Sequence, residues 1–185
     1  MKNLVIRQNA ADFVGIAKQL NIDPIAVRIM VNRGMSSIDQ MREFLKDDIT
    51  SCFYYKGLPY INEAVETIEY AKKMNLKTRI IGDYDADGVM ATAILMKGLK
   101  AYGLLVDFVI PNRITEGYGI NVNIVDKAHE DNVGLIVTCD NGISAREAID
   151  KAFDYGMKVV VTDHHTLYEE AVPTKWNALV NPKCP

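Results

Sequence analysis

The sequence predicts an α/β domain: a mostly parallel, Rossmann-like sheet with helices on both faces, preceded by a small helical appendage. Three observations carry that prediction. From residue 62 onward, short apolar runs alternate with longer amphipathic segments, the pattern of repeated β–α units. The short runs, such as Leu135–Cys139 and Lys158–Thr162, are nearly continuous in apolar residues, as strands buried on both faces must be. Polar residues follow those runs at once, at the carboxyl ends where open parallel sheets bind ligands.

Residues 1–58 form the predicted appendage, and 59–185 the main domain. Leu4-Val5-Ile6 is a short strand-like run, and Phe13, Ile16, Ala17 and Leu20 recur at helical spacing between Ala10 and Leu20. Asp23-Pro24 starts a second helix, with Asp as N-cap and Pro at the first position; it runs to Asn32-Arg33 and Gly34 ends it. Ser37 opens a third, containing Ile38, Met41, Phe44 and Leu45. Cys52-Phe-Tyr-Tyr55 reads as a loop buried against the main domain, with base stacking as the alternative.

In the main domain, Asn62 is the candidate N-cap of an amphipathic helix to Asn75, built on Ala64, Val65, Ile68 and Ala71. Next come a strand at Thr78–Ile81, a helix from Val89 to Tyr102 and a strand at Leu105–Pro111. A helix at Val122–Glu130 leads to the strand Leu135–Cys139. Ser144-Ala-Arg-Glu147 has the form of a capping box opening a helix to Tyr155. Strands at Lys158–Thr162 and Ala178–Asn181 complete the pattern.

Composition bounds the function. Hydrophobic residues at 49% and charged residues at 24% suit a soluble globular protein. No apolar run approaches the roughly 20 residues of a membrane span, and the opening residues lack a secretory pattern. Cys52, Cys139 and Cys184 are odd in number and not paired at metal-ligand spacing, which predicts a reduced, cytoplasmic setting. A net charge of −3 argues against a general nucleic-acid-binding surface. Without the charges of Asp83, Asp85, Asp87, Asp140 and Asp163, however, it becomes +2. Two divalent cations among those groups would invert the local field and admit an anionic substrate.

The chemistry collects at strand ends. Asp83, Asp85 and Asp87 alternate after Ile81-Gly82, and in an extended segment alternate residues point to one side. Convergent carboxylates repel unless a cation sits among them; the alternative is a solvated, Asp-rich turn. Gly88 then lets the chain turn into the helix. The third strand ends in Thr138-Cys-Asp140-Asn-Gly, and the fourth in Thr162-Asp163-His164-His165. An Asp-Asn-Gly turn can simply shape backbone, and a His pair can simply be exposed, but both lie at neighbouring strand ends. The third histidine, His129, reads as a solvated side chain on a helix. Carboxylates with imidazoles suit Mg²⁺ or Mn²⁺, and zinc is disfavoured without thiol ligands. Several carboxylates could hold two ions roughly 4 Å apart, an arrangement used for phosphoester hydrolysis. The sequence contains no P-loop, dinucleotide fingerprint or nucleophile elbow.

Four ordered motifs, Gly82-Asp-Tyr-Asp-Ala-Asp-Gly88, Glu116-Gly-Tyr-Gly-Ile120, Cys139-Asp-Asn-Gly-Ile143 and Val161-Thr-Asp-His-His-Thr166, resemble the DHH phosphoesterase superfamily. Within it they are most similar to the RecJ-like branch, the single-strand-specific 5′→3′ DNA exonucleases of repair and recombination. The resemblance covers residues 79–185. It implies a two-metal hydrolase using Mn²⁺ or Mg²⁺, with Asp85 and Asp87 as ligands of the two ions, Asp140 bridging both, and His164 on one. It places His165 by the scissile phosphate and gives Asp163 the task of orienting the histidines. Asp83 is a further candidate for ligation, and Arg113 and Tyr118 are candidates for substrate contacts. Single-stranded DNA is the implied substrate, with a helicase or a single-strand-binding protein as candidate partners and no membrane. Two alternatives stand beside this reading: a DHH-type nanoRNase or cyclic-dinucleotide phosphodiesterase, and a catalytically silent DHH binding module. The family carries a later metal-binding aspartate and a second domain. This sequence, ending at Pro185, is thus expected to be an N-terminal part that binds Mn²⁺ weakly and has little or no nuclease activity alone.

Overall fold

A computed structural model describes residues 9–46, 57–114, 117, 119–184. The expectations for Leu4–Ile6, Cys52–Tyr55 and Tyr118 lie outside the described residues. The chain divides into two compact units, Met1–Tyr54 and Tyr55–Pro185.

The first unit has three helices, α1 (Phe13–Leu20), α2 (Pro24–Asn32) and α3 (Ile38–Leu45). Each has the side-chain cap that fixes its start: Asp12 accepts from Gly15 N, Asp23 from Ile25 N, and Ser37 forms a capping box with Gln40. Ala17, Val27, Met30 and Met41 are the buried centre of this unit.

The second unit contains α4 (Ile61–Lys73), β1 (Lys77–Ile81), α5 (Ala86–Tyr102), β2 (Val106–Val109), α6 (Val122–Glu130), β3 (Val133–Cys139), α7 (Arg146–Asp154), β4 (Lys158–Thr162) and β5 (Ala178–Val180). The five strands make one parallel sheet in the order β2-β1-β3-β4-β5. Period-two alternation divides its side chains between two cores. Ile80, Leu135, Val137 and Val160 pack under α4 and α5 with Ala64, Ala71 and Leu99. Ile81, Ile136, Val159 and Val161 pack under α6 and α7 with Val125, Ala128 and Ile149. Fully burying each Ile, Leu or Val side chain stabilises the fold by about 1.5–3 kcal/mol. The chain leaves β1 toward β2 under one helical layer and returns across β1 to β3 under the other. That reversal opens a crevice beyond the carboxyl ends of β1 and β3.

Several boundaries differ from the sequence expectation. Helix α4 starts before Asn62, because Ala64 N donates to the carbonyl of Tyr60; Tyr60 is the N-cap, in a left-handed conformation. Strand β2 stops at Val109, opposite the last residue of β1. The capping box at Ser144 does not form. Ala145 N donates to Gly142 O, Arg146 N donates to Ala171 O, and α7 begins at Arg146 with no side-chain cap. A tertiary contact thus satisfies a helix-end donor that the sequence assigns to Ser144. Helix α5 begins three residues earlier than expected, at Ala86, with direct consequences for the carboxylates.

Among the described residues, no helix is long and apolar enough to cross a membrane.

Candidate metal centre

The three alternating aspartates do not share one extended segment. Strand β1 ends at Ile81, Asp83 follows as a buried residue, Asp85 is the N-cap of α5, and Asp87 lies in that helix's first turn. Asp85 accepts a hydrogen bond from Gly88 N at 3.1 Å, which holds its carboxyl below the usual carboxylate range with Asp87 and Asp140 nearby. Gly88 is therefore inside the helix rather than at its entrance. A Cβ there would lie 2.7 Å from the Asp83 Cβ and carbonyl oxygen, so glycine permits close approach of α5 to the strand end. Gly82 does the same for Thr92, whose Oγ1 would be 1.9 Å from a Cβ.

Asp140 terminates β3 in a left-handed conformation, φ 61°, unusual for a residue other than glycine. Hydrogen bonds around it hold that strained turn. Asp140 N donates to Thr162 O, and Thr138 Oγ1 donates to Asn141 O at 2.8 Å. Asn141, 1% exposed, donates from Nδ2 to both Ile81 O and Cys139 O and accepts from Ile120 N. This one amide ties the ends of β1 and β3 to the chain entering α6. The sequence motifs assign Asn141 no role of its own; its signal is the Asp-Asn-Gly turn itself.

At the end of β4, Asp163 Oδ1 accepts from the backbone N–H of His164 (2.7 Å) and His165 (3.0 Å) and pairs with His165 Nδ1 at 2.7 Å. Its Oδ2 accepts from Ile143 N at 2.9 Å. Both oxygens are thus committed to fixing the two histidines and the β3–α7 turn. The pairing directs His165 Nε2 away from Asp163, and the Asp163 carboxylate holds the His165 ring above the usual histidine range. Buried Asn181 adds a support from β5, donating from Nδ2 to His165 O at 3.1 Å. It too lies beyond what the motifs indicate.

These elements bring most of the expected residues together. Ligand atoms of Asp83, Asp85 and Asp140 all lie within 4.8 Å of one another, and so do those of Asp140, His164 and His165. Asp140 is common to both groups. His164 Nε2 is 2.8 Å from Asp140 Oδ1 and 3.8 Å from Asp87 Oδ2, so Asp87 approaches from the exposed side. Asp83, the weakest of the three in the sequence, is the most buried at 1% exposure. Its Oδ1 has no hydrogen-bond partner among the described residues. Burial raises its carboxyl above the ordinary range, partly offset by the Tyr84 N–H. Asp140 is also raised, by burial first, with His164 opposing and Asp87 and Asp85 reinforcing. Buried, mutually repelling carboxylates beside an imidazole are the donor set of a hard divalent cation. A cleft of about 440 Å³ lined by Asp87, Asp140 and His164 gives access to them.

Arg113 lies 5.2 Å from the ring of Tyr84, the residue between Asp83 and Asp85. His129 is exposed on α6 and stacks on Tyr155, 4.2 Å between centroids, rather than being surrounded by solvent alone.

The sequence matches the DHH family, N-terminal domain, over residues 77–185. It is 37% identical over 173 residues to the single-stranded-DNA-specific exonuclease RecJ of Bacillus subtilis strain 168, covering 92% of this chain and 21% of that protein. To the Escherichia coli K12 protein of the same name it is 33% identical over 162 residues, covering 87% and 27%. A crystal structure of exonuclease RecJ bound to manganese superposes with TM-score 0.64 at 36% identity, covering 70% of this chain and 33% of that one. RecJ from Thermus thermophilus in complex with Mn²⁺ gives 0.65 at 27% identity, covering 95% and 24%. The chain thus spans about a quarter of the length of the curated relatives it matches.

Proposed function

This chain belongs to the DHH family, and from that premise we propose that it carries most of the metal-binding part of a phosphodiester hydrolase acting on the 5′ end of single-stranded DNA. The observation that carries the reading is the position of Asp140 in both ligand groups, where one carboxylate can serve two cations. The donor set fits Mn²⁺ or Mg²⁺: oxygen ligands predominate, one or two imidazoles lean toward Mn²⁺, and no thiol joins either group among the described residues. Asp83, Asp85 and Asp140 would hold one ion, with Asp140, His164 and the more exposed Asp87 around the other. Bound cations supply charge stabilisation and a nucleophile at neutral pH.

The protein's own residues do the rest. Asp163 fixes His165 so that Nε2 presents a proton toward a phosphate beside the cluster. Its raised pKa keeps that proton in place to higher pH. Arg113, steadied by Tyr84, contributes a second positive group at the entrance, and Tyr118 lies two residues before Ile120 on the same segment. We place the reaction in the cytoplasm, with a helicase or single-strand-binding protein presenting the strand.

Calorimetric titration tests the centre. The chain should bind Mn²⁺, and Asp140→Asn should weaken binding more than any other single substitution in the cluster, since both ions lose a ligand. Equal Mn²⁺ binding by the parent and Asp140→Asn would overturn the assignment. In the full-length protein, the same substitution should abolish release of nucleotides from a long 5′-labelled single strand.

A further inference from the structure

Asparagine followed by glycine occurs once in the chain, at Asn141-Gly142 in the β3–α7 turn. This dipeptide is chemically labile. With no side chain on the second residue, its backbone nitrogen can reach the amide carbon of the first. The fold nevertheless requires both residues. Gly142 sits at φ 108°, and a Cβ there would lie 2.7 Å from Thr138 Oγ1. Asn141 donates to Ile81 O at 3.0 Å and to Cys139 O at 2.9 Å, and accepts from Ile120 N at 3.3 Å. Only an amide of this size supplies two donors and an acceptor together.

Hydrolysis of that amide would reverse its role. A carboxylate has no proton for either carbonyl. Ile81 O and Cys139 O, at the ends of the strands that lead to Asp83 and Asp140, would then face a buried negative charge. An isoaspartate would in addition lengthen the main chain by one carbon.

We propose that Asn141 is a site of spontaneous deamidation, which disables the metal centre and which the order of that centre holds back. The Gly142 nitrogen, having lost its proton to solvent, bonds to Asn141 Cγ. The Cγ–Nδ2 bond breaks, and Nδ2 leaves as ammonia. Water then opens the resulting cyclic imide at either carbonyl, giving aspartate or isoaspartate. One water enters, one ammonia leaves, and nothing is oxidised or reduced. In the closed turn the amide is pinned by three hydrogen bonds and is 1% exposed, so conversion proceeds through local opening. Without metal, Asp83, Asp85 and Asp140 repel one another at the same strand ends, which favours opening. A cation at 100 times its Kd, released on opening, would make the open state about 100-fold rarer. That second protection rests on the cation reading above; the protection by hydrogen bonds does not.

Mass spectrometry after proteolysis detects the replacement of NH₂ by OH at position 141. The chain is incubated at mildly alkaline pH unfolded in guanidinium chloride, folded with chelator, and folded with saturating Mn²⁺. Conversion should be about tenfold or more slower in chelator than in guanidinium, and slower again by up to about 100-fold with Mn²⁺. The converted chain, separated by its added negative charge, should melt below the parent in chelator and bind Mn²⁺ about tenfold or more weakly. Asn141→Asp should reproduce its aspartate form. The rate comparison uses the parent alone and so does not depend on the folding of that variant. Equal rates in guanidinium and chelator, or a converted chain with parental melting and Mn²⁺ affinity, would overturn the proposal. If Mn²⁺ does not bind the parent, the cation reading fails separately, and slow conversion in chelator with a lowered Tm of the product would still uphold the site.

Discussion

Asp83→Asn should make the metal-free chain more stable and the metal-loaded chain less so. Asp83 is 1% exposed, its Oδ1 lacks a hydrogen-bond partner among the described residues, and Asp85 and Asp140 are its neighbours. An unsatisfied buried polar group costs about 1–3 kcal/mol, more when charged. Asparagine keeps the shape, removes the charge and offers an N–H₂ to the neighbouring carboxylates. For a chain of this size each kcal/mol moves Tm by about 2–4 °C, so the variant should melt roughly 3–10 °C above the parent at pH 7 with chelator present. The pH dependence has a definite sign. The folded carboxyl titrates above its unfolded value of about 4. Its cost is therefore absent below that pH, grows as pH rises, and is complete above the folded pKa. The advantage of Asp83→Asn should follow that course. Saturating Mn²⁺ should reverse the order. A ligand at 100 times its Kd stabilises by about 2.7 kcal/mol, and the variant, short of one ligand oxygen, should gain less. Scanning calorimetry with and without Mn²⁺ reads both effects. A variant less stable than the parent in chelator at pH 7, or equally stabilised by Mn²⁺, would refute the reasoning.

Three further outcomes follow from the same geometry. Gly88→Ala should destabilise the fold by up to about 2 kcal/mol in urea titration, because an overpacking cost of about 1–3 kcal/mol against Asp83 outweighs the helix-propensity gain of about 1 kcal/mol; a stabilised variant would show that α5 can move away from the strand end. Asp163→Asn should bring the His165 ring back down toward an ordinary histidine value, followed by proton NMR of the ring, since Asp163 is the main cause of its elevation. Asp107→Asn should lower stability at pH 7. Arg79 holds that carboxyl below its unfolded value, so the contribution is complete above about pH 4 and fades as pH falls through the folded value. Parent and variant should therefore converge in acid, and a constant difference down to about pH 2 would contradict the ion pair.

Helix α2 shows how much a sequence can specify locally. Its Asp23-Pro24 start and its end before Gly34 appear in the structure as written, because cap, first-turn proline and left-handed terminator each act within a single turn of chain. Strands β3 and β4 are similarly legible, since burial on both faces demands continuous apolar runs. Ser144 shows the limit. Its capping pattern is correct by local rules, yet Arg146 N finds Ala171 O from 25 residues away, and the helix starts where that contact puts it.

The same division runs through the centre. The sequence alone determined which groups could hold a cation: carboxylates and paired histidines placed immediately after buried strands, a placement that residue order encodes directly. Only the tertiary structure decided how they converge. The aspartates do not meet by alternation along one extended segment; they meet because Asp85 caps α5, Asp140 is held at positive φ by Asn141 and its neighbours, and Asp163 locks the histidines from below. It also decided which is buried, making Asp83 a member of the cluster and leaving Asp87 at its edge. Ligand identity is a property of one residue, whereas distance and burial depend on packing among strands far apart in the chain, which no local pattern contains.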